Sequence, residues 1–400
     1  MCTAETPGIL FDCQFDFQPV GHGLFYTGRV KDFHFVYDCG SKSTTCLNEA
    51  IKNYLGEMYK KTIDLLIISH FHKDHINGIP RLLEAVDKIN KVILPYLSPV
   101  ERLIAVLENT ISAEGSIDED SNNLIFDPVE YFHRNGYTPE FVFLAADELS
   151  QGRFRDDLGI SSQEGIREPF INEHSCKKQC NWAFKFYYRK CDEQIDKEKQ
   201  FLKDVTDKGI SLENIAEVFK REFSVLQKIY KKVFGSKQNQ TSIVCCHGLA
   251  SGSCGEFFYY EESPIDIENP VYSLKDNSIK MPDAKPITPS ISISEPLQML
   301  TGDAELDIAQ FESHFASELT HVGVFQVPHH ASDSNWENDF LVSMKNCNLW
   351  VVSCRSNDNK HPGMCVINEL GKKQLIPSIC DEDTRISLLA NVNNYYLLEI

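Results

Sequence analysis

The stretch Leu65-Leu66-Ile67-Ile68-Ser69-His70-Phe71-His72-Lys73-Asp74-His75 places three histidines and one aspartate directly after an apolar run. The apolar run has the composition of a buried β-strand. Side chains two positions apart lie on the same face of an extended backbone, so His70 and His72 are expected to point the same way. Imidazole and carboxylate groups are ligands of zinc, manganese and iron. The stretch therefore predicts a metal site at the end of a strand.

The spacing of these residues, His-x-His-x-Asp-His directly after a strand, resembles the metal-binding motif of the metallo-β-lactamase superfamily. Further segments match that superfamily in their order along the chain; they are Val20-Gly21-His22-Gly23, Thr301-Gly302-Asp303-Ala304, Val327-Pro328-His329-His330 and His361-Pro362. Their order and spacing are similar to the branch that contains the hydrolase domain of bacterial DNA-uptake competence proteins. The matching segments extend from about residue 17 to residue 363, with long divergent stretches between them.

The resemblance implies an α/β (α+β) fold, the four-layer αβ/βα metallo-β-lactamase sandwich, with residues 1–400 in a single domain. The first third of the sequence also predicts strands that alternate with helices, which is typical of a mixed sheet with helices packed outside. Insertions into this fold are expected at about residues 98–180, at 190–236 and at 255–295. Apolar residues at helical spacing predict that the second insertion is helical, whereas many prolines, serines and aspartates predict a loop for the third.

Local patterns predict several individual elements. Residues 24–30 and 33–37 alternate around a turn, which predicts a β-hairpin. Residues 46–59 carry apolar side chains at helical spacing, and residues 63–69 have the composition of a strand that is buried on both faces. Residues 239–245 are expected to form a core strand that pairs with the apolar run near residue 300.

The resemblance also implies a ligand set for two divalent cations, with zinc or manganese as the expected metal. The implied ligands are His70 and His72 for a first site, Asp74 and His75 for a second site, Asp303 as a bridge, and His361 to complete the second site. Two cations about 3.5–4 Å apart can activate a water molecule for hydrolysis. Because Asp303 and His361 are far from the first motif in sequence, their convergence is a prediction of the fold.

One position departs from the wider superfamily, which usually has a histidine a few residues before the strand that begins here near Thr241. This chain has Lys237-Gln238-Asn239-Gln240 instead. Either Asn239 is a weak ligand or a water molecule takes that position, and the first site is expected to be weakly occupied or to prefer a harder cation such as Mn²⁺. Asp38 has two interpretations: it orients a ligand histidine from behind, or it caps a turn with Gly40.

Two adjacent histidines, His329 and His330, are expected to have a catalytic role together with Asp74. In related phosphodiesterases, including tRNA 3′-processing endonucleases, a histidine between the bridging aspartate and the last ligand faces the scissile phosphate. An imidazole at that position can protonate the leaving oxygen. The resemblance does not separate His329 from His330, and a packed core position is the alternative for the pair.

The leading functional hypothesis is a metal-dependent hydrolase, a phosphodiesterase or nuclease that uses a metal-bound hydroxide on a nucleotide or a single-stranded nucleic acid. A formal net charge of −19 disfavours long-range attraction to duplex DNA or to an anionic membrane. Two alternatives are a hydrolase of a carboxylic ester, thioester or lactam, and a non-catalytic binding module. A further hypothesis is a defence or toxin effector that is gated by a protein partner on the helical insertion at 196–234.

The 14 cysteines are scattered, and no charged and apolar leader precedes them. This pattern favours free thiols in a reducing compartment. No apolar run reaches the roughly 18 residues that a membrane-spanning helix needs. We therefore expect a cytoplasmic protein without a membrane partner.

Overall fold

Two β-sheets lie face to face, and helices cover the outer side of each sheet. The computed structural model describes residues 13–112, 118–145, 182–190, 192–235, 241–249, 255–262, 271–273, 278–280, 291–293, 297–356 and 358–390. The strands are β1 (Cys13–Phe17), β2 (Gly23–Val30), β3 (Phe33–Ser41), β4 (Thr62–Ile67), β5 (Lys88–Pro95), β6 (Glu140–Leu144), β7 (Trp182–Tyr187), β8 (Val244–Leu249), β9 (Gly255–Glu262), β10 (Val271–Ser273), β11 (Ser278–Lys280), β12 (Ile291–Ile293), β13 (Leu297–Leu300), β14 (Val322–Gln326), β15 (Leu349–Ser353), β16 (Ser378–Cys380) and β17 (Arg385–Ala390). The helices are α1 (Thr44–Glu57), α2 (Lys73–Ile76), α3 (Ile79–Ala85), α4 (Pro99–Ser112), α5 (Glu119–Phe126), α6 (Pro128–Arg134), α7 (Asp192–Asp207), α8 (Ile215–Phe234), α9 (Ile308–His314), α10 (Phe340–Ser343) and α11 (Met364–Lys372).

The strand order brings the ends of several parallel strands together. The larger sheet has nine strands in the order β12-β9-β17-β1-β2-β3-β4-β5-β6, and the smaller sheet has six in the order β16-β15-β14-β13-β8-β7. Strands β3 to β6 run parallel to one another, as do β13 to β16. Ligand sites in parallel sheets lie beyond the carboxyl ends of the strands. The segments that follow β3, β4, β13, β14 and β15 are therefore the places to look for a site.

Three apolar clusters between the layers account for the four-layer arrangement. In β4, Leu65 and Ile67 lie in the cluster between the two sheets, whereas Leu66 lies in the cluster beneath the outer helices. A third cluster, which includes Phe325 and Phe311, lies between the smaller sheet and its own helices. Because side chains alternate between the faces of a strand, a strand that is apolar on both faces needs a layer on each side. The predicted four-layer sandwich is confirmed.

The local predictions agree with the observed elements. Strands β2 and β3 pair antiparallel, as expected for the predicted hairpin. Helix α1 covers most of the helix predicted at residues 46–59, and β4 covers most of the strand predicted at 63–69. Strand β8 pairs antiparallel with β13, although it begins at Val244 instead of residue 239.

Two of the expected insertions contribute strands to the larger sheet. Strand β6 falls within the range 98–180, yet it pairs parallel with β5 and extends that sheet. The range 255–295 was predicted to be a loop, but β9 within it pairs antiparallel with β17 along six residue pairs. The sequence of β9, GEFFYYEE, is rich in aromatic residues that favour strands. The loop prediction gave more weight to the prolines and serines farther along the range, and it was wrong for the residues of β9.

The helical insertion packs on the body of the molecule. Helices α7 and α8 place Phe201, Val205, Val218, Phe219 and Leu226 in the cluster that also contains the apolar side of α4. The apolar face of these helices is thus buried against the rest of the molecule. Docking of a protein partner on this region stays a prediction. Within the ranges given above, no helix combines the length and the apolar character needed to cross a membrane.

Candidate metal centre

The His-x-His-x-Asp-His segment turns sharply from β4 into α2 against the end of β3. A Cβ atom on Gly40 would lie 2.4 Å from the backbone of both Asp74 and His75, so only glycine allows this approach. The close packing brings α2 next to Asp38, a residue of β3. The sequence Asp38-Cys39-Gly40, in the last part of β3, therefore shapes the metal-site turn.

Asp303 is the residue on which the histidines converge. Its Oδ2 atom lies 3.7 Å from His70 Nε2 and 3.8 Å from His72 Nδ1. Its Oδ1 atom lies 3.2 Å from His75 Nε2 and 3.8 Å from His330 Nε2. Each carboxylate oxygen thus faces a separate pair of imidazoles, which is the arrangement expected of a bridging carboxylate.

Several donor atoms of this cluster are buried and have no hydrogen-bond partner among the described residues. They include the Nε2 atoms of His70, His75 and His330 and the Oδ1 atom of Asp303. A buried polar atom without a partner costs free energy, about 1–3 kcal/mol each. Groups of three donors lie within 4.8 Å of one another in the sets His70–His72–Asp303 and His75–Asp303–His330. The residues present therefore fit two divalent cations, with imidazole and carboxylate ligands of the type that zinc and manganese accept.

Asp38 holds His75 from behind. The carboxylate is fully buried and accepts hydrogen bonds from the Ser69 amide (2.7 Å), the Ser69 hydroxyl (2.5 Å) and His75 Nδ1 (2.7 Å). Because Nδ1 donates to Asp38, the Nε2 atom is the one turned towards Asp303. Burial disfavours the charged form of His75, but the carboxylates of Asp303 and Asp38 outweigh it and hold the pKa well above its usual value. Of the two interpretations of Asp38, the geometry favours the orientation of a histidine.

Glu108 is the carboxylate that lies beside His72, and it was not predicted from the sequence. Its Oε1 atom lies 3.1 Å from His72 Nε2, and its side chain is buried. Burial lowers the pKa of His72, but the carboxylates of Glu108 and Asp303 together raise it to about 10. Glu108 belongs to α4, in a range that carries no motif of the superfamily. Its signal was a single carboxylate within a run of buried positions on that helix.

Serine hydroxyls hold the remaining histidine of the first pair. His70 Nδ1 lies 2.9 Å from Ser69 Oγ and 3.1 Å from Ser242 Oγ. Ser242 Oγ also accepts the backbone amide of Asp303 at 2.9 Å, so one hydroxyl joins both sides of the centre. Burial, followed by the neighbouring imidazoles, holds the pKa of His70 well below its usual value. Asn239, the expected weak ligand, lies outside the described residues.

Asp74 faces the opposite side of the centre from the first pair. Its Oδ2 atom lies 3.6 Å from His22 Nε2, 3.6 Å from Lys42 Nζ and 3.8 Å from His330 Nε2. Burial raises the pKa of its carboxyl group, but His75, His330 and Lys42 outweigh this and lower it overall. Asp74 is therefore a carboxylate within reach of the second group of donors.

The structure separates His329 from His330. His330 is buried, its Nδ1 atom donates to the Ser353 carbonyl at 2.8 Å, and its Nε2 atom faces Asp74 and Asp303. Burial lowers the pKa of His330 to about 3, so its imidazole is neutral and suited to bind a cation. The His329 side chain is 31% exposed, and its Nε2 atom lies 4.0 Å from Asp303 Oδ2.

His361, which the resemblance implies as a ligand of the second site, lies next to His330, with 6.2 Å between the ring centroids, and its role there stays a prediction. Among the described donors it shares a three-residue cluster with His22 and Asp358, not with Asp74 and His75. His330 takes the place beside Asp74 because β14 ends directly at the centre, whereas His361 lies on the loop after β15. His22 was not predicted as a site residue; the two glycines that flank it, Gly21 and Gly23, were the signal available in the sequence.

Comparisons with known proteins give a local sequence match and two solved structures with low structural similarity. No known family model matches the chain. A ribonuclease Z from Agathobacter rectalis is 33% identical over 112 residues, which are 27% of this chain and 34% of that protein, so the chain spans about a third of the curated relative that it matches. Two solved structures are also similar: the metallo-β-lactamase fold protein YhfI from Bacillus subtilis (TM-score 0.17, 20% identity, 20% of this chain and 37% of the other) and a long form RNase Z from yeast (TM-score 0.32, 8% identity, 94% of this chain and 41% of the other). With its four layers and strand-end histidine cluster, the chain is a mixed α/β structure similar to the metallo-β-lactamase fold.

Proposed function

We propose that the chain is a metal-dependent phosphodiesterase or nuclease that acts on a nucleotide or a single-stranded nucleic acid. The observation that carries the proposal is the environment of Asp303, which offers one oxygen to each of two groups of buried histidine nitrogens. Unpartnered donors in a buried cluster are costly unless a cation satisfies them. A site with room for two cations is suited to phosphodiester hydrolysis.

The proposed ligands divide between the two sides of Asp303. His70 and His72 would hold one cation, and Asp74, His75 and His330 would hold the other, with Asp303 shared. Bound divalent cations supply Lewis-acid chemistry: they lower the pKa of water and neutralise charge on a phosphate. Zinc suits the imidazole-rich donor set, and manganese is the alternative for the side built on His70 and His72.

His329 is the residue that we propose as general acid. It is partly exposed at the mouth of the centre, and its Nδ1 atom lies 2.9 Å from Asn335 Oδ1. Asn335 fixes the ring by accepting the Nδ1 proton, so the Nε2 atom points towards Asp303 and the space in front of it. His330 is unsuited to this role because burial keeps it neutral. A proton from His329 would go to the leaving oxygen of the phosphodiester.

RNA is the first substrate class to test. The similarity to a ribonuclease Z supports this choice, and the segments Thr301–Ala304 and Val327–His330 support the competence-type branch with its phosphodiester chemistry. The net charge of −19 argues against capture of long duplexes through long-range attraction. A short or single-stranded ligand is therefore favoured.

The test compares substrates and variants of the full chain with added Zn²⁺ or Mn²⁺. Bis-p-nitrophenyl phosphate and single-stranded RNA should be hydrolysed, and nitrocefin and a thioester should not. Asp303→Asn should remove the two cations that share Asp303, and activity with them, whereas His329→Asn should lower kcat by about 10²–10⁴-fold with unchanged metal content. His133→Asn, on the exposed side of α6, is the matched control. Hydrolysis of nitrocefin or the thioester alone would reject the phosphodiester proposal, and metal binding without any hydrolysis would indicate a binding module.

A further inference from the structure

We propose that His22, Asp358 and His361 form a third divalent-cation site beside the two-cation centre. The three residues come from the segment before β2 and from the loop after β15. Their donor atoms lie within 4.8 Å of one another. The site depends only on these donors, so it does not require that the proposed hydrolase activity be correct.

The distances in this cluster fit a shared cation better than they fit hydrogen bonds. Asp358 Oδ2 lies 3.4 Å from His22 Nδ1 and 3.5 Å from His361 Nδ1. Hydrogen bonds from nitrogen to oxygen are usually about 2.7–3.2 Å long. Ligands about 2.1 Å from one tetrahedral zinc ion are separated by about 3.4 Å. Both measured distances agree with that separation.

The cluster is largely shielded from solvent, and one of its donors has no other partner among the described residues. The His361 Nδ1 atom is buried and has no hydrogen-bond partner in the part of the chain that the structure describes. The side chains of His22, Asp358 and His361 are only 8%, 16% and 18% exposed. A cation bound by Asp358 Oδ2 and the two Nδ1 atoms would satisfy these donors together.

The backbone holds two of the three ligands in place. His22 lies between Gly21 (φ +69°) and Gly23 (φ +147°), and a Cβ atom on Gly23 would lie 2.5 Å from the Gly40 carbonyl oxygen. Glycine at position 23 therefore allows the His22 segment to pack closely against β3. Asp358 uses its Oδ1 atom to accept the amides of Lys360 (2.8 Å) and His361 (3.2 Å). Its Oδ2 atom is thereby left to face the two imidazoles.

Lys42 is the residue that competes with a cation here. Its ammonium group lies 2.6 Å from His22 Nε2 and 3.6 Å from Asp74 Oδ2. The side chain is half exposed, so the ammonium can swing into solvent when a cation binds at His22 Nδ1. Removal of this charge should therefore tighten the third site.

The position of the third site suggests what it does. The rings of His22 and His330 lie 4.0 Å apart between centroids, so the site adjoins the Asp74–His330 side of the centre. Three protein ligands leave at least one coordination position free for an oxygen of a bound molecule. Two imidazoles and one carboxylate make zinc the expected cation. A cation there would hold a substrate oxygen next to the position where hydrolysis occurs.

Zinc titration of the metal-free full chain tests the proposal, with bound zinc counted by elemental analysis and Co²⁺ absorption bands as a second measurement. We expect three equivalents for the natural chain and two for His361→Asn and for Asp358→Asn. Lys42→Met should tighten the third equivalent about tenfold or more, and the control His133→Asn should bind three. If His361→Asn does not fold by circular dichroism, Asp358→Asn and His22→Gln give the count.

Two results would overturn the third site. Two equivalents in both the natural chain and His361→Asn would mean that the cluster is a hydrogen-bonded network only. Two in the natural chain and one in His361→Asn would return His361 to the second site. Asp303→Asn separates this proposal from the proposed function: retention of one equivalent that His361→Asn removes would support the third site even if no substrate is hydrolysed.

Discussion

Replacement of Asp38 by alanine tests whether this carboxylate positions the metal centre. Three donors lose their acceptor: the Ser69 amide, the Ser69 hydroxyl and His75 Nδ1. The hydroxyl can turn to His70 Nδ1, 2.9 Å away, so two buried donors are left without a partner. Each costs about 1–3 kcal/mol, and the free energy of unfolding should therefore fall by about 2–6 kcal/mol. Because His75 is no longer oriented, metal affinity should also fall by about 10–100-fold.

Two measurements separate these effects. Urea unfolding in the presence of a chelator gives the stability of the metal-free chain, and zinc titration of the folded chain gives the affinity. Asp64→Ala is the matched control, because Asp64 accepts the His34 amide (2.9 Å) and Asn90 Nδ2 (2.8 Å) away from the centre. That variant should lose stability and keep the metal affinity of the natural chain. Equal metal affinity in Asp38→Ala and Asp64→Ala would refute the positioning role.

Three further predictions use other parts of the structure. Glu108→Gln should weaken zinc binding about tenfold or more, because the carboxylate beside His72 Nε2 is lost; an unchanged affinity would contradict this. Zinc at about 100 times its Kd should raise the free energy of unfolding by about 2.7 kcal/mol per site, and a melting temperature that does not respond to zinc or to a chelator would argue against bound cations. Burial lowers the pKa of His247 to about 3, so its contribution to stability is full above the unfolded pKa of about 6.5 and is lost as the pH falls towards 3. His247→Phe should thus reduce the loss of stability between pH 6.5 and pH 5 by about 2 kcal/mol, measured by urea unfolding at both pH values; an unchanged pH dependence would exclude His247 as its source.

The residues of the centre that follow most directly from the sequence are those that lie close together in it. His70, His72 and His75 follow one strand, and the spacing of residues on a strand and a short helix fixes which way they point. Asp303 was predicted through the resemblance, from the glycine–aspartate pair that follows the strand ending at Leu300. Glu108 was not, since only the packing of α4 over the first motif brings its carboxylate to His72.

The position of His330 beside Asp74 and Asp303 has a physical cause that spacing does not encode. His329, His330 and Ala331 all have positive φ values of 50°, 54° and 62°. Three consecutive residues other than glycine in this region are rare, and each costs about 1–3 kcal/mol. A sequence pattern carries no information about these backbone angles, so it could not separate the roles of His329 and His330.

The strained turn has a consequence for the chemistry. Two hydrogen bonds offset part of its cost: the His329 amide donates to the Gly302 carbonyl (3.0 Å), and His330 Nδ1 donates to the Ser353 carbonyl (2.8 Å). The turn directs His330 inward, where burial keeps it neutral, and leaves His329 at the surface beside Asp303. Adjacent residues of the same type thereby acquire different environments, one suited to a cation and the other to a proton donor. Strain at this turn is therefore best understood as the cost of separating those two roles.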